Sequence, residues 1–280
     1  MTYSFRTALG KSAILVLLLL GSVRPSFGQE AAQQQLTVPL SAPSKPGSLA
    51  VELVHGSIHV TGYGGKDVVI DAVARSSKHP STSPSSAAGL KRISAANSLN
   101  LTAEEKNNRV EITTESWKSP VDLIIQVPRN FSLKVSTVND GDITIDNVVG
   151  ELEVTNTNGN ITLSQVAGSA VANTVNGNLK ATFTGIAAGA PMAFSTLNGK
   201  VDVTLPANAS AALKMKSDRG EVYSDFDVAL TKGQPKVTRT SQNGLNRLST
   251  DDWTYGKINN GGAELTMKTF NGDIFLRKAK

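Results

Sequence analysis

Glycine recurs at positions 141, 150, 159, 168 and 177, a spacing of nine residues held four times running. Between these glycines lie the short runs Ile143-Thr-Ile145, Leu152-Glu-Val154, Ile161-Thr-Leu163 and Ala170-Val171. Apolar and polar residues alternating between Gly and Asn are the pattern of a β-strand bounded by turns. A unit this short cannot bury its own apolar face, so copies must stack on one another to make a core.

A longer unit of about eighteen residues extends beyond that block. Its heart is a turn residue, a glycine, a polar residue and two apolar positions separated by one. Copies surround Gly56, Gly141, Gly159, Gly177, Gly199, Gly220 and Gly272. The second residue after each glycine is Ile58, Ile143, Ile161, Leu179, Val201, Val222 or Ile274, which predicts a core column with Thr144, Thr162 and Asp202 outside it. Asn precedes the glycine in four of the seven copies, the pair best suited to the positive φ of a tight turn. On that basis Gly141, Gly159 and Gly177 are expected to hold positive φ at stacked corners. The regular period favours an all-β, β-solenoid-like stack, each strand pairing with its copy about 4.8 Å above. An antiparallel β-meander or sandwich obeys the same local signals and is the alternative.

A second duplication surrounds the heart. Val121 to Val127 with Pro128 leads to Leu133-Lys-Val135 and Gly141, and Val201 to Leu205 with Pro206 leads to Leu213-Lys-Met215 and Gly220. Proline ends each apolar strand because it cannot donate to a ladder. The two copies read as corresponding corners of one solid. Residues 48–280 are therefore expected to form a single β-strand-repeat domain. It carries an exposed loop at 76–89, rich in Ser and Pro, and an irregular cap at 232–262 containing Trp253 and Tyr255. Residues 29–47 read as a flexible lead-in.

The first 28 residues read as a secretory signal peptide. Arg6 and Lys11 precede the apolar run Ala13 to Leu20, and Ser26-Phe27-Gly28 offers small residues at the cleavage positions. The expectation is an exported chain beginning near Gln29, in the periplasm or at the cell surface. No later run is long enough for a transmembrane helix. The formal charge of +5 is inflated by this leader: without Arg6, Lys11 and Arg24, 25 basic residues face 23 acidic ones. They are scattered, which gives no nucleic-acid footprint. Cysteine is absent, which removes disulfides, thiolate metal sites and a thiol nucleophile.

Little in the chain looks like catalysis, a cofactor site or a metal site. Asp140, Asp142 and Asp146 are the densest acids, but the following coils offer Asn158, Asn160 and Ser164 at matching places. A calcium-binding coil would repeat its Asp. His55 and His59, four apart on one inferred strand, would be about 13 Å apart and so cannot share an ion. His79 lies in the flexible loop. What the repeat does concentrate is amide and hydroxyl groups. Asn156, Asn158, Asn160, Asn176 and Asn178, with Thr144 and Thr162, form the candidate polar binding face, suited to an envelope glycan or a surface protein. The alternative functions are a carbohydrate-active enzyme on a β-helix scaffold and a structural protein polymerising end to end.

Val51-Glu-Leu-Val-His-Gly-Ser-Ile-His-Val60, the strand Val121 to Val127 with Pro128, and the Asn-Gly hearts through residue 203 resemble a bacterial family of unknown function, described as adhesins and exported as β-strand repeats. Met267 to Leu276 fits the same pattern, so the resemblance spans about residues 49–278. It implies a right-handed solenoid-like fold and, through the family's name, adhesion. It brings no catalytic residues.

Overall fold

The strands on either side of each repeat glycine belong to two different parallel sheets. Gly159, for example, separates Val149–Asn158 from Ile161–Asn176. The first strand pairs in parallel with Phe131–Asn139 and with the second half of Ile161–Asn176. The first half of Ile161–Asn176 pairs in parallel with Ile143–Asp146 and Leu179–Ile186. One long strand thus serves both sheets, bending near Gly168. A coil is a strand of the first sheet, the glycine corner and a strand of the second sheet, and successive coils pair in parallel. This is a β-solenoid, and the meander is excluded. The computed structural model describes residues 33–75, 101–114, 120–231, 237–242, 245–250 and 253–280. Every element among them is a strand.

Named by their glycines, the coils stack in the order 56, 141, 159, 177, 199, 272, 220. That is not chain order at either end. Gly47–His55 lies between Arg109–Thr114 and Phe131–Asn139. Ile58–Tyr63 likewise lies between Val121–Pro128 and Ile143–Asp146. At the other end the Gly272 coil, Glu264–Asn271 with Ile274–Lys278, is inserted between the Gly199 and Gly220 coils. The duplicated strand–Pro segments explain this. After Pro128 and again after Pro206 the chain steps over one coil position, and a terminal coil fills each gap.

Inward positions make continuous columns. Ile58, Ile143, Ile161, Leu179, Val201 and Ile274 are fully buried and follow one another along the stack, as do Leu49, Leu133, Leu152 and Ala170 in the first sheet. Burying one such Ile contributes roughly 2 kcal/mol. Thr144, Thr162 and Asp202 stand half-buried on the outer face, as the alternation predicts.

Antiparallel strands cover both sheets at the N-terminal end and the first sheet at the C-terminal end, which protects ladder edges that would otherwise invite further pairing. Asp67–Ala74 covers Val121–Pro128, and Gln33–Pro39 covers Asp67–Ala74 in turn. Part of the expected flexible lead-in, 29–47, is therefore an edge strand. Val38 and Leu40 are buried, and alternation through Leu36-Thr-Val38 carries the strand. Leu101–Lys106 covers Arg109–Thr114. Within 232–262, Thr254–Ile258 pairs with both Ala211–Ser217 and Val228–Leu230. Val237–Gln242 and Leu245–Thr250 form a separate hairpin. The expected signal peptide and the expected 76–89 loop, with His79, lie outside the described residues.

Candidate functional site

The seven repeat glycines stack into one spine. A Cβ added to Gly141 would fall inside 3.0 Å of the Gly56 carbonyl oxygen; Gly159 would meet Gly141, Gly177 would meet Gly159, and Gly199 would meet Gly177 in the same way. Gly272 would meet Gly199, and Gly220 would meet Gly272. The sequence reading assigned Gly141, Gly159 and Gly177 to positive φ. Gly141, Gly159 and Gly177 lie outside that region, and only Gly56, at 126°, is deep in it among the first four. At Gly141, Gly159 and Gly177 glycine is required because the corners touch backbone to backbone; Gly199 and Gly272, both at a φ of 155°, add a positive-φ requirement, as Gly56 does. Gly150 and Gly168, the alternate members of the nine-residue series, face each other at the opposite edge.

Three rows of hydrogen bonds run beside the spine. The innermost uses the third residue before most glycines. Thr174 Oγ1 donates to the Gly159 carbonyl, Thr196 to Gly177 and Thr269 to Gly199, each at 2.9 Å. Thr137 donates to Gly56 at 2.9 Å and Ser217 to Gly272 at 2.7 Å. These hydroxyls satisfy carbonyls that crowd at a dry corner, where an unpaired acceptor would cost about 1–3 kcal/mol. Asn156 occupies this inner row, 1% exposed, with Nδ2 donating to the Gly141 carbonyl at 2.9 Å. It is therefore removed from the candidate binding face. The apparent run of asparagines hid a residue that points inward, because Asn158 and Asn160 lie beyond the strand's last inward position.

The second row uses the residue after the glycine. Asp142 Oδ1 accepts from the Asn160 amide N–H at 2.7 Å, Asn160 Oδ1 from Asn178 N–H at 2.9 Å, and Asn178 Oδ1 from Lys200 N–H at 2.9 Å. Asn160 and Asn178 are exposed, but their carbonyl oxygens brace the next coil. Asp142 belongs to the same brace. Asp140 takes a left-handed φ of 56° to absorb one extra residue in its copy.

The third row is the outermost. Asn158 Nδ2 donates to Asn139 Oδ1 at 3.1 Å, Asn176 to Asn158 at 2.8 Å and Asn198 to Asn176 at 2.8 Å. Each bond uses one of the two amide hydrogens and one carbonyl lone pair. The exposed row keeps a second N–H and a second lone pair on each amide, repeating every coil. Asn139 and Asn198 belong to it as fully as the expected Asn158 and Asn176. Aligning the copies on their glycines would have found Asn198, since Asn recurs just before Gly. Thr144 and Thr162 are register partners on the outer face of the second sheet, across the corner from this row.

His55 and His59 were expected on one strand. The Gly56 corner places them on two, Gly47–His55 and Ile58–Tyr63, and the His59 ring hydrogen-bonds Thr61 Oγ1 at 3.0 Å. No group of three metal-capable side chains occurs among the described residues. A shallow depression of about 440 Å³ on the first sheet's outer face contains Glu151 and Glu153, both exposed, with Glu153 paired to Lys134 at 3.1 Å.

The model of the Toastrack DUF4097 family matches residues 27–277. No curated protein matches the chain at significance. Two solved structures are similar. One is a "putative cell adhesion protein" from Clostridium sporogenes, at 11% identity and a TM-score of 0.46, covering 89% of this chain and 100% of that one. The other is a "putative adhesin" from Bacteroides fragilis, at 13% identity and a TM-score of 0.36, covering 90% and 98%.

Proposed function

Since the chain belongs to the Toastrack DUF4097 family, we propose that it is an exported, non-catalytic module of the cell envelope that binds a hydroxyl-rich surface glycan along its outer amide row. The observation that carries the reading is the row itself. Asn139, Asn158, Asn176 and Asn198 present a donor and an acceptor at each coil, about 4.8 Å apart. A polymer of repeating hydroxyls can bridge such groups in register, and many weak bonds on one chain add through effective concentration. The leader Arg6 to Gly28 supports export. No helix among the described residues is long and apolar enough to cross a membrane. Against catalysis stands the character of Glu151 and Glu153. They are exposed, and Glu153 is ion-paired, whereas a general acid is usually made by burying a carboxyl in apolar surroundings.

The test is retention of the purified protein on insoluble envelope polysaccharide. Wild type is expected to be retained, and Asn158→Ala with Asn176→Ala to weaken retention at least about tenfold, or ~1.4 kcal/mol. Unretained wild type, or an unaffected double variant with the wild-type melting point, refutes the assignment. Intact mass of the protein recovered from an expressing bacterium checks export, with a first residue near Gln29 expected.

A further inference from the structure

The outer face of the first sheet carries an apolar stripe that nothing above uses. Val54, Val138, Val175, Leu197 and Phe270 lie in successive coils on the outward side of the residue preceding the amide row, each between 39% and 47% exposed. Thr157 holds the one intervening place. With a strand spacing of about 4.8 Å the stripe is about 24 Å long. Isolated exposed apolar residues need no explanation, but a row of them along one sheet face, broken only at Thr157, marks an interaction surface.

Apart from the ion pair of Lys134 with Glu153, at 3.1 Å in the column of Ala50, the charges in the two columns beside the stripe are sorted by sign along the stack. Toward the Gly56 end stand Glu52 and Glu111, the latter in register with Ala50. Toward the Gly220 end stand Lys268, in register with Ser195, and Lys214, in register with Thr266. Between them the column through Glu52 and Lys268 contains only Ser136, Thr155, Asn173 and Ser195. Glu52, Glu111 and Lys268 have no ion-pair partner among the described residues.

We propose that this face is the contact between two copies of the chain, related by a twofold axis running along the strand direction and midway between the Gly159 and Gly177 coils. Such an axis inverts the stack while keeping each column opposite itself. Val54 of one copy then meets Phe270 of the other, Val138 meets Leu197, and Thr157 meets Val175. Glu52 meets Lys268 and Glu111 meets Lys214, while in the centre Ser136 meets Ser195, Thr155 meets Asn173 and the Lys134–Glu153 pair faces Ala193 and Val171. A twofold contact must be self-complementary in this sense. The face, about 30 Å by 25 Å from strand spacing and rise, supplies roughly 800 Å² per copy, the amount a standard stable interface buries. The glycine corner and its amide row lie at the edge of this face and stay open.

Sedimentation velocity across a concentration series tests the proposal. A dimer is expected for wild type, and Leu197→Glu should give a monomer with an unchanged melting temperature. Glu52→Lys and Lys268→Glu should each weaken the dimer about tenfold or more, and the double charge swap should restore it. A wild-type monomer at the highest soluble concentration overturns the proposal. So does a dimer that survives Leu197→Glu, or one whose two charge reversals add instead of cancelling.

Discussion

The middle of the solenoid and its two ends use the same corner in opposite ways. From Gly141 to Gly199 the chain lays down coils in order, and the buried hydroxyl of Thr174 reaches a carbonyl only 15 residues away. At the ends the same bond spans 81 residues for Thr137 and 70 for Thr269, because a terminal coil has been fitted into a gap left by the chain. Local and distant coils are chemically alike but not alike in how they form. Distant pairing must overcome more loop-closure entropy before its contacts form, so the threaded coils are expected to join last. The N-terminal one is fastened across its gap. Arg75 donates from Nε to Asp122 at 2.6 Å, from one guanidinium nitrogen to Ser57 Oγ at 2.7 Å and from the other to the Asp140 carbonyl at 2.6 Å, joining three consecutive coil positions. The hydrogen bond to Asp122 also raises the Arg75 pKa, keeping the clamp charged throughout the ordinary pH range.

Removing residues 264–280 should have the largest effect. The Gly199 and Gly220 coils would each lose the neighbour they share, along with the fully buried Leu265, Met267, Ile274 and Leu276. At about 2 kcal/mol for each side chain this approaches the net stability of a whole domain, about 5–15 kcal/mol. Hydrogen exchange should show protection lost from residues 192–224 and retained in 143–181. Uniform loss across the stack would mean that middle and ends form one cooperative unit, and the comparison would fail.

Glycine variants sharpen the contrast at smaller cost. Gly159→Val and Gly272→Val both clash with a neighbouring glycine carbonyl, Gly272 adding the strain of its φ of 155°, whereas a Cβ at Gly64 meets open space. Overpacking of this kind costs about 1–3 kcal/mol or more. Gly272→Val should release only the C-terminal end, seen as a small early transition in the melt. Gly159→Val should split the stack at its centre and make that region protease-sensitive, while Gly64→Val melts like wild type. Identical melts for the first two would show that position along the stack does not matter.

Much of this was legible from the residues, for a physical reason. A stacked coil repeats its neighbours' environment, so period, inward columns and corner glycines all surface as self-similarity. The threading did not surface, because period says that a coil pairs with a copy and not with which one. The strand–Pro duplication was visible, and its meaning as a skipped position became clear only from the register. The candidate face was read less well. Asn156 and Asn158 look equivalent in a polar run and share strand parity; what separates the buried amide from the exposed one is its place third before the glycine, the strand's last inward position. Thr137 takes the same inward place one residue further from its glycine, because Asp140 lengthens that copy by one.

That count also isolates the inner row's exception, where a small effect of opposite sign is expected. Thr137, Thr174, Thr196 and Thr269 serve local and threaded coils alike, each with a single hydroxyl that donates to one carbonyl. Asn156 stands where the Gly141 coil, with its extra residue Asp140, meets the regular block. Its Nδ2 serves the Gly141 carbonyl and reaches Asn160 O at 3.4 Å, but its own Oδ1 is buried with no hydrogen-bond partner among the described residues. An orphaned buried acceptor costs about 1–3 kcal/mol, offset in part by the bonds that the amide makes. Asn156→Thr keeps a donor within reach of Gly141 and removes the orphan. It should raise the melting temperature, by an amount corresponding to at most about 1 kcal/mol, and Asn156→Val, which leaves the Gly141 carbonyl without a donor, should lower it. If threonine lowers stability as much as valine does, the longer amide is needed to span the step made by Asp140, and the inner row is tuned coil by coil instead of being uniform from the middle to the ends.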